Sequence, residues 1–200
     1  LGLAAMGYTK PGCRIASGSI RLNQEELVGA SHSRLREIRG NHVSYVAQSA
    51  AAAFNPAHRL IDQFTESPVQ HGKMRSDEAA KRGRELYRQL DLPDPDQIGD
   101  RFPHQVSGGQ LQRLMAATAL CGKPDLLVLD EPTTALDVTT QIEVLKAFKS
   151  VIKQEGAAAI YVTHDLSVVA QIADHIVVLY AGEIQEHGTA EQVVSMPSHD

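Results

Sequence analysis

The sequence predicts an α/β fold in which a parallel sheet carries an inserted all-helical lobe, and three observations lead there. Residues 126–130 (LLVLD) run apolar without alternation, as in a strand buried on both faces, and are followed by the second acid of a pair, Asp130 and Glu131. Residues 157–163 (AAAIYVT) repeat the pattern after an amphipathic helical stretch, and such alternation of strand and helix marks a parallel sheet covered on both faces. From residue 55 to 104, by contrast, helical periodicities and polar connections occur without a convincing strand. The expected organisation is a partial α/β core over residues 1–54, a helical subdomain over 55–120 and the remainder of the core over 121–200.

Taken in order, residues 1–7 (LGLAAMG) are apolar and small, like the tail of a buried helix, and Lys10, Pro11 and Gly12 follow as a turn. Residues 15–23 read as a short strand and 24–28 as its return. Residues 31–39 form a polar helix with basic residues toward its end, where they complement the dipole. Residues 42–48 (HVSYVAQ) fit a strand ending on the polar Gln48. Alanines 50–53 then lead through Phe54, Asn55 and Pro56 into the helical block. There Ser76 is placed to cap a helix with Asp77 and Glu78 in its first turn, and Ala80, Gly83, Tyr87 and Leu90 recur at helical spacing. Residues 107–121 give a helix with Leu111, Leu114, Met115 and Thr118 inward and Gly122 as its stop. Residues 138–155 give another, with Ile142, Leu145, Phe148 and Ile152 on one stripe and Gly156 as its stop. After His164 and Asp165 come a short helix, a strand over 175–180, a turn at Ala181 and Gly182, and an extended stretch over 183–187.

Composition excludes several classes. Hydrophobic residues at 42% and charged residues at 22% are ordinary for a globular chain. A net charge of -5, the lack of any Lys/Arg run and the absence of Trp leave little for a phosphate backbone or for base stacking, so nucleic acid is not expected as a partner. Cys13 and Cys121 make neither a disulfide framework nor a zinc site, which fits a reducing cytoplasm. No apolar run approaches the roughly 18 residues of a spanning helix and no signal peptide is visible. Any membrane role is expected to be indirect.

Polar residues stand at three strand ends: Gln48, the pair Asp130 and Glu131, and His164. If those strands are parallel neighbours, all three tips face one crevice, the place where open α/β sheets bind ligands. Adjacent acids there suit Mg²⁺ and water. A fourth piece is Ser107, Gly108, Gly109 and Gln110, where two glycines after a capping serine leave backbone N–H groups open to an anion. Each piece has a plainer reading: a solvated strand end for the acids, a loop and N-cap for Ser-Gly-Gly, a structural His164, a surface Gln48.

Together these pieces resemble the nucleotide-binding domain of ABC transporters. The residues concerned are a signature (Ser107 to Gln110), a Walker B strand ending in Asp130 and Glu131, a following loop (Ala135, Leu136, Asp137), a Q-loop glutamine (Gln48) and a switch histidine (His164), in the family's order. Gln48 followed by Phe54, Asn55 and Pro56, with Pro197, Ser198 and His199 near the end, is most similar to the ATP-binding subunits of oligopeptide, dipeptide, nickel and glutathione permeases. Ser49, where that subfamily commonly has an acid, and Leu111, where the family commonly has a basic or polar residue, depart from the pattern.

The resemblance implies a P-loop NTPase-like core that binds ATP and Mg²⁺. Asp130 would hold the metal, with Gln48 sensing the metal or its water; Glu131 would act as general base and His164 would meet the γ-phosphate. Ser107, Gly108, Gly109 and Gln110 would serve the nucleotide of an opposite protomer, with Asp137 coupling the two sites. Implied partners are a second ATP-binding subunit, identical or not, integral-membrane permease subunits and, indirectly, an external solute-binding protein. The implied location is the cytoplasmic face of the membrane, and the implied work is uptake of peptides or similar solutes. A soluble ABC ATPase outside transport and a degenerate regulatory module are the alternatives.

The family's phosphate loop, Gly-x-x-x-x-Gly-Lys-Ser/Thr, does not occur in the 200 residues. In relatives that loop immediately precedes a helix ending much as residues 1–7 do. The chain is therefore expected to begin just after it, with the N-terminal part of the core missing, and to bind ATP poorly alone.

Overall fold

The computed structural model describes residues 1–133, 136 and 138–196, and the chain divides into two compact units, Leu1–Val162 and Thr163–Asp200. The first unit contains α1 (Gly2–Ala5), a small hairpin of β1 (Arg21–Leu22) and β2 (Glu25–Glu26), α2 (His32–Asn41), β3 (Val43–Val46) and α3 (Ala50–Ala53). It continues with α4 (Leu60–Gln70), α5 (Ser76–Gln89), two 3₁₀ turns, α6 (Gly108–Cys121), β4 (Leu126–Asp130), α7 (Val138–Glu155) and β5 (Ala158–Val162). The second unit holds α8 (Leu166–Ile172), β6 (His175–Tyr180), β7 (Glu183–Thr189) and α9 (Ala190–Ser195). No helix among the described residues is long and apolar enough to cross a membrane.

β3, β4 and β5 form a parallel sheet in that order, with Val46 beside Leu129 and Asp130 beside Val162. The apolar run of β4 serves two cores at once, because successive side chains point to opposite faces. Leu127 and Leu129 join the large core with Val46, Leu114 of α6 and Phe148 of α7. Val128 joins a smaller one with Val43, Met6 and the α2 residues Leu35 and Ile38. β6 and β7 are antiparallel, with an irregularity between Val178 and Leu179. The stretch after residue 121 is thus mixed, because Ala181 (φ 48) and Gly182 (φ 85) reverse the chain directly and leave no crossover between these strands.

The helices start and stop for local reasons. Ser107 accepts a hydrogen bond from the Gln110 amide and Gln110 Oε1 accepts one from the Ser107 amide, a reciprocal cap that opens α6. α7 stops at Gly156 (φ 70), where Gly156 N bonds to Lys153 O and Ala157 N to Ile152 O, a Schellman ending. Of the expected stripe, Leu145 and Phe148 are buried and Ile152 packs against the core, and Val144, Ala147 and Val151 widen the buried face. α5 departs from expectation in its cap: Arg75 is the capping position and Glu78 accepts from its amide at 3.0 Å, so Ser76 is already helical. Ala79 and Leu86, rather than Ala80, accompany Gly83 and Tyr87 on the buried face. Gly83 admits the Phe64 ring, since a Cβ there would lie 3.0 Å from Phe64 Cε1.

Gly122 follows α6 as expected, for a different reason. Its φ is -76, while the left-handed residue is Lys123 (φ 50). The missing side chain makes room for Lys73, whose Nζ donates to Gly122 O at 3.2 Å and to Asn41 O at 3.3 Å. Lys73 thereby fastens the α4–α5 connection to the C-terminal ends of α2 and α6, where carbonyls lack helical partners. The expected strand over residues 15–23 shrinks to Arg21–Leu22. There the Glu26 carboxylate takes the Ile20 and Val28 amides at 2.9 and 3.0 Å in place of ladder partners. With the Ser19 hydroxyl first and these amides next, its pKa falls to about 2.

Candidate functional site

Because β3, β4 and β5 are parallel neighbours, their C-terminal ends lie along one edge of the sheet. Gln48 comes two residues after β3 and Glu131 directly after β4. Gln48 Nε2 donates to Glu131 Oε2 at 2.8 Å, so two of the expected residues meet across adjacent strand ends. The backbone aims this acid: Glu131 takes φ 47 while its amide donates to Val162 O at 2.8 Å. A left-handed residue with a side chain costs on the order of 1–2 kcal/mol, and here the strain falls on the acid itself.

Asp130, the last residue of β4, is half-buried. Tyr45 donates its hydroxyl to Asp130 Oδ2 at 2.6 Å. Burial first, and then this bond, push the Tyr45 phenol to about 12. Sequence reasoning missed Tyr45. Its pairing with Val128 places it on the face that Asp130 also occupies, two residues on, and only the strand register reveals that. Thr133, in the turn beyond β4, is nearly fully buried and shares a hydrogen bond with the Tyr161 hydroxyl at 3.1 Å, a contact to another strand that its local sequence does not reveal.

Ser107 and Gln110 are engaged with each other in the cap of α6. Gly108 and Gly109 lie in its first turn, where amides have no intrahelical partner. A Cβ on Gly109 would lie 3.0 Å from Thr140 Cγ2 and 3.7 Å from Leu136, so glycine lets α6 approach the start of α7. His164 belongs to the second unit, two residues beyond the end of β5. It sits in a turn where the Asp165 amide donates to Thr163 Oγ1 at 3.1 Å. Asp137 and Ala135 lie outside the described residues, as do Pro197, Ser198 and His199.

Among the described residues no cluster of three His, Cys, Asp or Glu side chains could hold a metal unaided. The donors at the edge are nevertheless hard oxygens. Oδ2 of Asp130 is the oxygen that Tyr45 occupies, which leaves Oδ1 for a ligand, and the Gln48 amide donates through nitrogen, which leaves its carbonyl oxygen. One or two carboxylates completed by water and phosphate oxygens is the manner in which Mg²⁺ is usually held. The set fits that ion.

Comparison with known proteins follows the same line. The family model described as "ABC transporter" matches residues 4–134. The chain is 38% identical over its full length to the oligopeptide transport ATP-binding protein OppD of Lactococcus lactis subsp. cremoris (strain SK11), covering 59% of that protein. It is also 38% identical to the dipeptide transport ATP-binding protein DppD of Bacillus subtilis (strain 168), over 97% of this chain and 58% of that one. The chain thus spans about three fifths of the length of the curated relatives it matches. Among solved structures, cbiO1 from Clostridium perfringens, part of the ABC transporter complex cbiONQ, superimposes with a TM-score of 0.84 at 24% identity, over 97% of this chain and 73% of that one. The dimeric cassette MJ0796 bound to ADP and Pi gives 0.75 at 24% identity, over 89% and 75%. These likenesses show the fold.

Proposed function

The chain belongs to the ABC transporter family, and from that membership we propose that the protein is an ATP-hydrolysing subunit that powers uptake of peptides or similar small solutes. The observation that carries the reading is the Gln48–Glu131 hydrogen bond at the ends of two adjacent parallel strands. The choice of cargo is supported by relatives named for oligopeptide and dipeptide transport.

In this account Asp130 would hold Mg²⁺, directly or by way of a water, and the ion would supply neutralisation of charge on the phosphates of ATP. Glu131 holds the attacking water and takes its proton. Gln48 steadies the Glu131 carboxylate, and the chain beyond it enters α3 at once, where Ser49 Oγ accepts from the Ala52 amide. Movement of the helical segment would therefore reach Glu131 through a single hydrogen bond. His164 contacts the γ-phosphate and stabilises charge developing on it.

The open amides at Gly108 and Gly109, framed by Ser107 and Gln110, serve a nucleotide held by a second ATP-binding subunit arranged head to tail. Asp137 lies at that seam. Permease subunits dock on the surface near residues 50–70 from the cytoplasmic side of the membrane, and a solute-binding protein delivers cargo outside. The 200 residues alone, without a Gly-x-x-x-x-Gly-Lys-Ser/Thr loop, bind ATP poorly.

Reconstitution of the complete protein with its permease tests the proposal. With the ATP-binding subunits and Mg²⁺–ATP inside vesicles, and binding protein with labelled short peptides outside, label should accumulate inside only while ATP is hydrolysed. Hydrolysis with no accumulation of any peptide would remove the assigned cargo class, and absence of hydrolysis would remove the reading as a whole.

A further inference from the structure

We propose that Tyr45 is a positioning residue that biases Asp130 toward binding a metal through one carboxylate oxygen and thereby favours Mg²⁺ over the larger Ca²⁺. The proposal rests on the reading of Asp130 as the carboxylate that holds the metal. Tyr45 pairs with Val128 on the neighbouring strand, and Asp130 lies two residues further along β4 on the same face. The length of the ring carries the hydroxyl across that diagonal to Oδ2, 2.6 Å away. From another side α1 approaches the same oxygen, since a Cβ on Gly2 would lie 3.5 Å from Oδ2 and 3.2 Å from Val128 Cγ1. Oδ2 thus accepts from a phenol on one side and faces Gly2 of α1 on another, where a larger residue would crowd it.

A hydroxyl bonded to a carboxylate at this distance makes a charge-assisted bond, stronger than a neutral one. Asp130 can then offer Oδ1 to a metal or to a metal-bound water. A clamp on an ion by both oxygens competes with the Tyr45 bond for Oδ2, so coordination through Oδ1 alone is favoured. That distinction separates the two common divalent cations: Ca²⁺ takes six to eight oxygens and often a bidentate carboxylate, whereas Mg²⁺ takes six at shorter distance and keeps several waters. Partners that orient a metal-binding side chain typically contribute about 10- to 100-fold in affinity. A hydroxyl that merely satisfies a half-buried acid would have no bearing on which ion binds.

The test uses the complete protein with the non-hydrolysable analogue AMP-PNP. Protein-bound Mn²⁺ is followed by electron paramagnetic resonance and displaced by Mg²⁺ or, separately, by Ca²⁺. Tyr45→Phe should weaken Mg²⁺ about 10-fold while Ca²⁺ stays within about twofold, so the preference falls about 10-fold. Incorporating 3-fluorotyrosine at the same position, which keeps both shape and donor, should retain the preference and serves if the Phe variant does not fold. Unchanged Mg²⁺ affinity in Tyr45→Phe overturns the proposal, as does an equal loss for both ions, which marks general loosening of the edge. Loss of preference on fluorotyrosine incorporation also counts against it. Asp130→Asn separates the layers: if it weakens Mg²⁺ while Tyr45→Phe does not, only the role of Tyr45 fails. If neither variant has an effect, the assignment of Asp130 fails with it.

Discussion

Glu131→Gln in the complete protein is expected to lower steady-state ATP turnover about 10²- to 10⁴-fold, the range a positioned general base contributes, with nucleotide affinity unchanged within about twofold. The substitution is nearly isosteric, and the new amide oxygen still accepts the bond that Gln48 Nε2 makes to Glu131 Oε2 at 2.8 Å. The left-handed backbone at residue 131 and its bond to Val162 O are not altered by the side chain. What disappears is the capacity to take a proton. Turnover assays paired with equilibrium binding separate that loss from damage to the site. Turnover within a few-fold of wild type would exclude Glu131 as the base.

Glu155→Ala should destabilise the fold by about 3–5 kcal/mol, which for a chain of this size lowers Tm by about 6–20 °C. Glu155, in the last turn of α7, meets Arg82 of α5 with Nη2 and Oε2 2.5 Å apart, and their side chains are only 10% and 14% exposed. Neither Nε nor Nη2 of Arg82 makes a well-aligned hydrogen bond, and Glu85 is 3.9 Å away, so the nearby charge of Glu155 carries most of the compensation for the guanidinium. Removing it strands a charge in a poorly hydrated place, and that penalty exceeds the value of the pair itself. The double replacement Arg82→Leu with Glu155→Met should recover most of the loss. Denaturant unfolding of the three proteins checks this; a single variant within about 1 kcal/mol of wild type would mean that water reaches Arg82 freely.

The sheet was legible in the sequence because burial on two faces leaves a mark: a strand feeding both cores, as β4 does, must be apolar throughout. The end of α7 was legible because Gly156 takes a left-handed conformation that other residues enter at a cost. Gly122 looked the same in one dimension and serves another purpose, since its space is taken by Lys73 from 49 residues away. That Gln48 and Glu131 stand at neighbouring strand ends followed once their strands were taken as neighbours, whereas the hydrogen bond between them did not. Tyr45 and Arg82 were not legible. Their partners are fixed by strand register and by helix-to-helix packing, and a tyrosine in a strand or an arginine in a helix carries no sign of an acid on another element.

The central claim is that the edge bearing Gln48, Asp130 and Glu131 receives a metal–nucleotide complex. Paramagnetic broadening by Mn²⁺ bound with AMP-PNP to the isotopically labelled complete protein measures this directly. The account predicts selective loss of the amide signals of Gln48, Asp130 and Glu131, while those of Asn41, Lys73 and Gly122 at the opposite end of the strands survive. Broadening centred on the latter group, or spread evenly over both, would contradict it.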